Sequence, residues 1–397
     1  MKNVVFISPN FPTNYWQFCR ELRNNGMNVL GIGDQPYDEL GGGLKDSLTE
    51  YYKVGSLEDY DQVYRAVAFF IFKYGRIDWL ESNNEYWLEQ DARLRTDFHI
   101  TTGANSDEVA AFKSKSGMKA YYARAGVPTA RCHNVTTWDA AKAFIGQVGY
   151  PVIVKPDNGV GANATYKLKD DGDLSRFFSN LPSVPYVMEE FVQGDIFSYD
   201  AITDSRCEPL FESMTAWPPS IMDIVNEKKD LAYYTAADVP ESLRALGRAT
   251  VKSFGARSRF VHLEFFKLTQ DKPGLGRKGD FVGLEVNMRP AGGYTPDMMN
   301  YAHSTDVYQI WADMVTADRR LLPESHEDHF CVYASRRDCY RYVHTHGEIL
   351  ARYGGSIVMC ERMPALWVDA MGNQMYTAHA ADQAAAEEFI RFVLQRA

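Results

Sequence analysis

The chain has 397 residues, 45% of them hydrophobic and 24% charged, with a formal net charge of -10. That size and balance describe an ordinary globular protein of two or three domains and argue against disorder. The acidic excess argues against nucleic-acid binding as the main task.

No run approaches the ~20 apolar residues of a membrane span, so no membrane partner is expected. The opening Met1-Lys2-Asn3-Val4-Val5-Phe6-Ile7-Ser8-Pro9 is too short an apolar run for a signal peptide and reads as a first strand. The six cysteines are scattered without a Cys-x-x-Cys pair, which predicts reduced thiols and a cytoplasmic protein.

In chain order, Val4 to Ser8 is a predicted strand and Asn14 to Asn25 a helix stopped by Gly26. Val29 to Ile32, a helix from Glu58 to Tyr74, and a strand from Ile77 to Glu81 follow. This alternation predicts a parallel sheet whose carboxyl edge can hold ligands. Asn10, Asn14, Asn83, Asn84 and Glu85 follow strand ends there. Each fits either a substrate-facing edge or ordinary turn chemistry. Gly31-Ile32-Gly33 lacks the continuation of a dinucleotide fingerprint, and Gly41 to Gly43 reads as a polar loop.

Ser106 to Ala125 reads as one helix capped by Ser106 and stopped by Gly126. A small α/β unit comes next. It comprises a helix from Trp138 to Val148, the strand Val152-Ile153-Val154-Lys155-Pro156, a strand at Tyr166 to Leu168, a helix from Asp171 to Asn180, and a strand around Val187. Residues 195–310 read as a mostly antiparallel sheet with a helix from Glu241 to Phe254. Strands dominate from Phe330 until a last helix, Asp382 to Arg396.

The chemistry concentrates in a few runs. Lys155 ends a buried strand and precedes Asp157-Asn158-Gly159-Val160-Gly161-Ala162-Asn163, where small residues let backbone N–H groups approach an anion. A lysine beside such a loop is a point charge for phosphate. Farther on, Phe281-Val282-Gly283-Leu284-Glu285-Val286-Asn287-Met288-Arg289 alternates so that Glu285, Asn287 and Arg289 share one strand face. A second apolar strand, Phe260 to Phe266, carries Glu264. Two carboxylates and an amide oxygen are hard ligands suited to Mg²⁺ held with nucleotide phosphates. His262 shares the face of Glu264 and is read as a packed histidine rather than a catalytic one.

The ordered set of lysine-tipped strand, glycine loop, acidic hinge at Glu189-Glu190-Phe191-Val192, then Glu264…Glu285-x-Asn287 resembles the ATP-grasp superfamily over about residues 1–310. The resemblance implies an α/β fold, α+β in its C-terminal half. It would have a Rossmann-like domain over 1–105, central helices and a lid over 106–192, and a catalytic domain over 193–397 with a subdomain from about 325 to 397.

It further implies ATP and Mg²⁺ (or Mn²⁺) as cofactors. Nucleotide would be bound by Lys115, Lys155, Gly159, Gly161, Ala162, Glu189, Glu190, Phe191 and Val192. Lys115 enters because it stands eleven residues before Gly126-Val127-Pro128, as in biotin carboxylase-like members. Ile196 occupies the position of the usual ribose-binding acid, leaving Asp195 or Asp200 as substitutes. Metal would be held by Glu264, Glu285 and Asn287. Arg289, with Glu285, would be catalytic, and Arg289, Gly292, Gly293 and Glu85 would line the substrate site.

The implied activity is ligation of a small-molecule carboxylate to an amine through an acyl phosphate, of the amino-acid ligase type. A bicarbonate-activating enzyme and a non-catalytic nucleotide binder remain as alternatives. Homodimers are common among such proteins, and nothing here specifies one.

Overall fold

The computed structural model describes residues 1–158, 164–217, 230–325 and 327–397. A first sheet is parallel, with strands β1 (Asn3–Ile7), β2 (Asn28–Gly33), β3 (Glu50–Lys53) and β4 (Trp79–Glu81) in the order β3-β2-β1-β4. The strands β1, β2 and β4 are short, largely apolar and buried, as parallel strands under helices must be, while the edge strand β3 is Glu-Tyr-Tyr-Lys and only partly buried. The helix Tyr60–Tyr74 covers one face through Val63, Ala66, Val67 and Phe70. The other face packs on Trp16–Asn24 and, from far along the chain, Val307–Ala317. Phe18 lies 4.8 Å from Tyr308 and 5.1 Å from Trp311 between ring centroids.

A second sheet of four antiparallel-paired strands runs β5 (Cys132–Asn134), β8 (Tyr186–Glu190), β6 (Val152–Pro156), β7 (Tyr166–Leu168). Helices Trp138–Val148 and Asp171–Ser179 complete this unit, with their own small core around Leu174, Val152 and Val154.

The third sheet has eight strands. These are β9 (Gly194–Thr203), β10 (Pro209–Trp217), β11 (Leu231–Thr235), β12 (Arg259–Leu268), β13 (Phe281–Asn287), β14 (Phe330–Arg336), β15 (Ile357–Arg362) and β16 (Gln374–Ala380). Their order is β13-β12-β9-β10-β11-β14-β16-β15. The C-terminal strands thus extend the same sheet that carries Glu264 and Glu285. Among the described residues no helix is long and apolar enough to cross a membrane.

Three expectations need correction. Gly42–Ser47 is a short helix, so the glycine run opens a helix instead of a polar loop. The expected single helix over 106–125 is two, Ser106–Lys113 and Lys115–Arg124, broken at Ser114, whose backbone is extended (φ -85, ψ 115). Ser114 Oγ caps the second helix by accepting from Gly117 N. The first helix is capped by Asn105, not Ser106, in a capping box with Glu108.

Candidate active site

The floor of the site is one face of three adjacent strands. Opposite residues in an antiparallel pair share a face. The register sets Glu264 of β12 beside Glu285 of β13 and Ser198 of β9, and His262 beside Asn287 and Asp200. The pairing slips by one residue immediately after Glu264. Phe265 faces Gly283, and Leu284 is the extra residue. A bulge re-aims the flanking side chains, and this one sits where the two carboxylates meet.

Both floor carboxylates are balanced by cations. Lys115 Nζ lies 3.1 Å from Glu285 Oε1, and His262 Nε2 lies 3.3 Å from Glu264 Oε1. His262 Nδ1 pairs at 2.7 Å with Asp200, whose other oxygen accepts from Ser198 Oγ at 2.6 Å. Burial disfavours the charged ring, but Asp200 and Glu264 outweigh it and raise the His262 pKa to about 9. Burial likewise opposes ionisation of Glu264, and the contact with His262 and the charges of Arg289 and Lys155 hold its pKa below the usual range. The floor histidine is thus a packed, hydrogen-bonded one, as its sequence context suggested, and it packs against Glu264. Asp200 is committed to it rather than open to a ribose.

Above the floor stands the second sheet. Lys155, at the end of β6, and Glu189, on β8, pair at 2.7 Å, and Lys119 Nζ reaches the other Glu189 oxygen at 2.6 Å. Burial opposes a charge on Glu189, yet the two lysines lower its pKa to about 2. Burial also opposes a charged Lys155, but Glu189, Glu285 and Glu264 raise its pKa.

The rest of the expected hinge points elsewhere. Side chains alternate along β8, and Glu190 is held by Arg131 Nη2 at 2.8 Å and by Lys272. Phe191 lies under the Lys167 ammonium, 3.7 Å from its ring centre, and Val192 is buried against Ala130, Leu268 and Val282. Asp195 is exposed at the start of β9, opposite Lys267. Gly159, Gly161 and Ala162 lie outside the described residues.

The two helices broken at Ser114 join these parts. Asp157, just past Lys155, accepts from Ser114 Oγ at 2.8 Å and from Ser116 N at 2.7 Å, and its carbonyl accepts from Lys115 N at 2.9 Å. The break lets successive lysines diverge. Lys113 reaches Glu85 on the first sheet's edge at 3.2 Å, Lys115 reaches Glu285 on the floor, and Lys119 reaches Glu189 in the second sheet.

The edge of the first sheet closes the site. Ser8 and Asn83, after β1 and β4, both hold left-handed backbone (φ 54), a strained state for residues other than glycine. Tyr15 Oη donates to the Asn83 carbonyl at 2.9 Å. Asn14 Nδ2 donates to the Gly293 carbonyl at 3.1 Å and to Asp297 at 2.8 Å, tying this edge to the loop after β13. Asn84 plays a turn role, accepting from Tyr86 N, whereas Asn10 donates to Gln35. Asn83 Nδ2 and Glu85 Oε2 are buried without a hydrogen-bond partner among the described residues, the state expected of groups that await a ligand.

Arg289 Nη1 donates to the Pro290 carbonyl at 2.7 Å, leaving most of its fork for other acceptors. Gly292 is exposed in the following bend. Gly293 adopts φ 63, a left-handed backbone that favours glycine in this turn.

Sequence reading missed Lys119 and Asp157. The signal for Lys119 was present, since it stands four residues after Lys115 and so on the same helix face. Asp157 could be understood only once the break at Ser114 was visible. Ser213, His303 and Asp328 also line up, at 2.9 Å and 2.9 Å, like a hydrolase triad, but Ser213 is 0% exposed and out of reach of substrate.

No protein-family model matches the chain. Among curated proteins it resembles the chloroplastic phosphoribosylamine–glycine ligase of Arabidopsis thaliana, 28% identical over 115 residues, which is 27% of this chain and 22% of that protein. It also resembles the alanine–anticapsin ligase of Bacillus subtilis, 25% identical over 155 residues, 35% of this chain and 33% of that protein. The matched stretch spans a third or less of the length of these relatives.

Whole-chain likeness comes from structure. An L-amino acid ligase from Bacillus licheniformis matches with a TM-score of 0.70 at 14% identity, covering 98% of this chain and 96% of that one. A phosphoribosylglycinamide synthetase from Anaerococcus prevotii matches at 0.69 and 14% identity, covering 99% and 97%. The biotin carboxylase domain of the Hydrogenobacter thermophilus 2-oxoglutarate carboxylase, solved with MgADP, ADP and bicarbonate, matches at 0.72 and 14% identity, covering 98% and 88%. These proteins are ATP-grasp ligases and carboxylases, and the fold of this chain is the ATP-grasp fold.

Proposed function

We propose that the chain is an ATP-dependent carboxylate–amine ligase that forms an amide bond and releases ADP and phosphate. The observation that carries this reading is the convergence of Glu264, Glu285 and Asn287 on one sheet face, with Arg289 in the bend just past β13, beneath Lys115, Lys119 and Lys155. The donor set fits a nucleotide-bound divalent ion: two ionised carboxylates and an amide oxygen on neighbouring strands. Among the described residues no group of three or more His, Cys, Asp or Glu side chains could hold a metal ion, and this set has two carboxylates and one amide. An open half-site that needs phosphate oxygens to complete it suits Mg²⁺ better than a structural metal.

Glu264, Glu285 and Asn287 would hold Mg²⁺, which supplies neutralisation of charge on the transferred phosphoryl group. Lys155 and Lys115 draw the phosphates down onto the floor. Arg289 then faces the carboxylate to be activated and stabilises the acyl phosphate and the adduct formed when the amine attacks. Asn83, Glu85 and the Gly292-Gly293 bend enclose the small-molecule substrates. This chemistry relies on positioning and charge, with no protein nucleophile.

The test is product analysis with ATP and Mg²⁺ across single and paired amino acids, other carboxylates with amines, and bicarbonate. ADP and phosphate formed only when a carboxylate and an amine are both present is the expected outcome. Release with bicarbonate alone would replace this reading with a bicarbonate-activating enzyme, and AMP with pyrophosphate would overturn it.

A further inference from the structure

We propose that Lys119 is a third phosphate-binding cation of the site, held in waiting on Glu189. The inference rests on the nucleotide reading above and goes beyond it, since Lys115 and Lys155 account for the cations expected there.

Glu189 is buried, 5% exposed, and its two oxygens are divided between two lysines, Lys119 at 2.6 Å and Lys155 at 2.7 Å. Lys155 leaves a β-strand of the lid, and Lys119 leaves the helix Lys115–Arg124. One carboxylate thus holds together two ammonium groups from separate elements, with Lys115 one helical turn away on the face of Lys119. Three lysines are set against the two carboxylates Glu189 and Glu285.

A carboxylate offers two oxygens to this cluster, whereas a phosphate offers three with more charge. A polyphosphate entering between lid and floor competes with Glu189 for its lysines. Lys119 stands at the mouth of the cluster. Its side chain is 19% exposed, against 9% for Lys155 and 7% for Lys115. It can therefore turn from Glu189 to a phosphate oxygen without leaving a charge stranded, because Lys155 continues to neutralise Glu189.

The test is calorimetric titration of the whole chain with adenosine, ADP and ATP in Mg²⁺, for wild type, K119M and K119R. K119M is expected to weaken ADP and ATP by about tenfold or more, the order of one charge-assisted hydrogen bond, and to leave adenosine unchanged. K119R, which keeps the charge, should retain most of the affinity. Added salt should erode the wild-type advantage over K119M.

Unchanged ADP and ATP binding in K119M would overturn the proposal. So would an equal loss for adenosine, which would make Lys119 a support for Glu189 only. Wild type that binds none of the three would overturn the nucleotide reading and this inference with it.

Discussion

Glu285→Gln is expected to lower turnover by about 10²- to 10³-fold while the chain stays folded. The substitution keeps size and an acceptor oxygen but removes one of the two floor charges available to a divalent ion. Losing one preorganised electrostatic contact at a reacting centre typically costs this much. The fold should survive because the Glu285 side chain is 19% exposed and glutamine keeps an oxygen that can accept from Lys115. The measurement is kcat across a Mg²⁺ titration, with circular dichroism as the folding control. A variant with wild-type kcat and an unchanged Mg²⁺ requirement would remove Glu285 from the metal set.

Arg95→Met should produce the largest loss of stability, roughly 3–5 kcal/mol, as when one partner of a buried ion pair is removed. Arg95 is 0% exposed. Its guanidinium donates to the Leu80 carbonyl at 3.0 Å, to the Ala104 carbonyl at 2.6 Å and to Glu81 Oε2 at 3.1 Å. Burial opposes the Glu81 charge, and Arg95 with Arg259 holds its pKa down. Beside it, burial and the Glu81 charge push Asp91 up to about 8, so Asp91 carries its proton at neutral pH. Without Arg95, Glu81 keeps only Arg259, at 3.6 Å.

The damage should also reach the site. Arg259 begins β12 and donates to the Met288 carbonyl at 2.7 Å, one residue before Arg289, while Glu81 lies directly under Ser82 and Asn83. Urea unfolding followed by tryptophan fluorescence checks this. A loss below about 1 kcal/mol would mean that the pair is not a fastening between the first sheet and the catalytic floor.

How much of this was legible in the sequence varied with how local the cause was. The floor was legible because its signal is a period-two alternation within single strands. Glu285 and Asn287 share a face whatever the strand pairs with, whereas β13 ends at Asn287 and Arg289, expected on the same face, falls in the bend beyond it. Lys155 was legible for the same reason, as a charge ending an apolar strand.

The hinge was less so. Glu189 and Glu190 look alike in sequence, but alternation sends one to Lys155 and Lys119 and the other to Arg131 and Lys272. The break at Ser114 left only a weak local signal, the serines and glycine of Ser114-Lys115-Ser116-Gly117. Its cause is Asp157, more than forty residues away, competing for the Ser114 and Ser116 hydrogen bonds. The partner of His262 was not legible, because Asp200 comes from a strand sixty-two residues earlier and only the sheet register brings the two together.

The central claim, activation of a carboxylate by phosphoryl transfer, is tested most directly by isotope transfer. The carboxylate substrate is supplied with both oxygens labelled as ¹⁸O, and the phosphate released from ATP is analysed by mass. The account predicts one labelled oxygen in each phosphate formed, because the bridging oxygen of an acyl phosphate leaves with phosphorus when the amine attacks. Unlabelled phosphate accompanying amide product would contradict it.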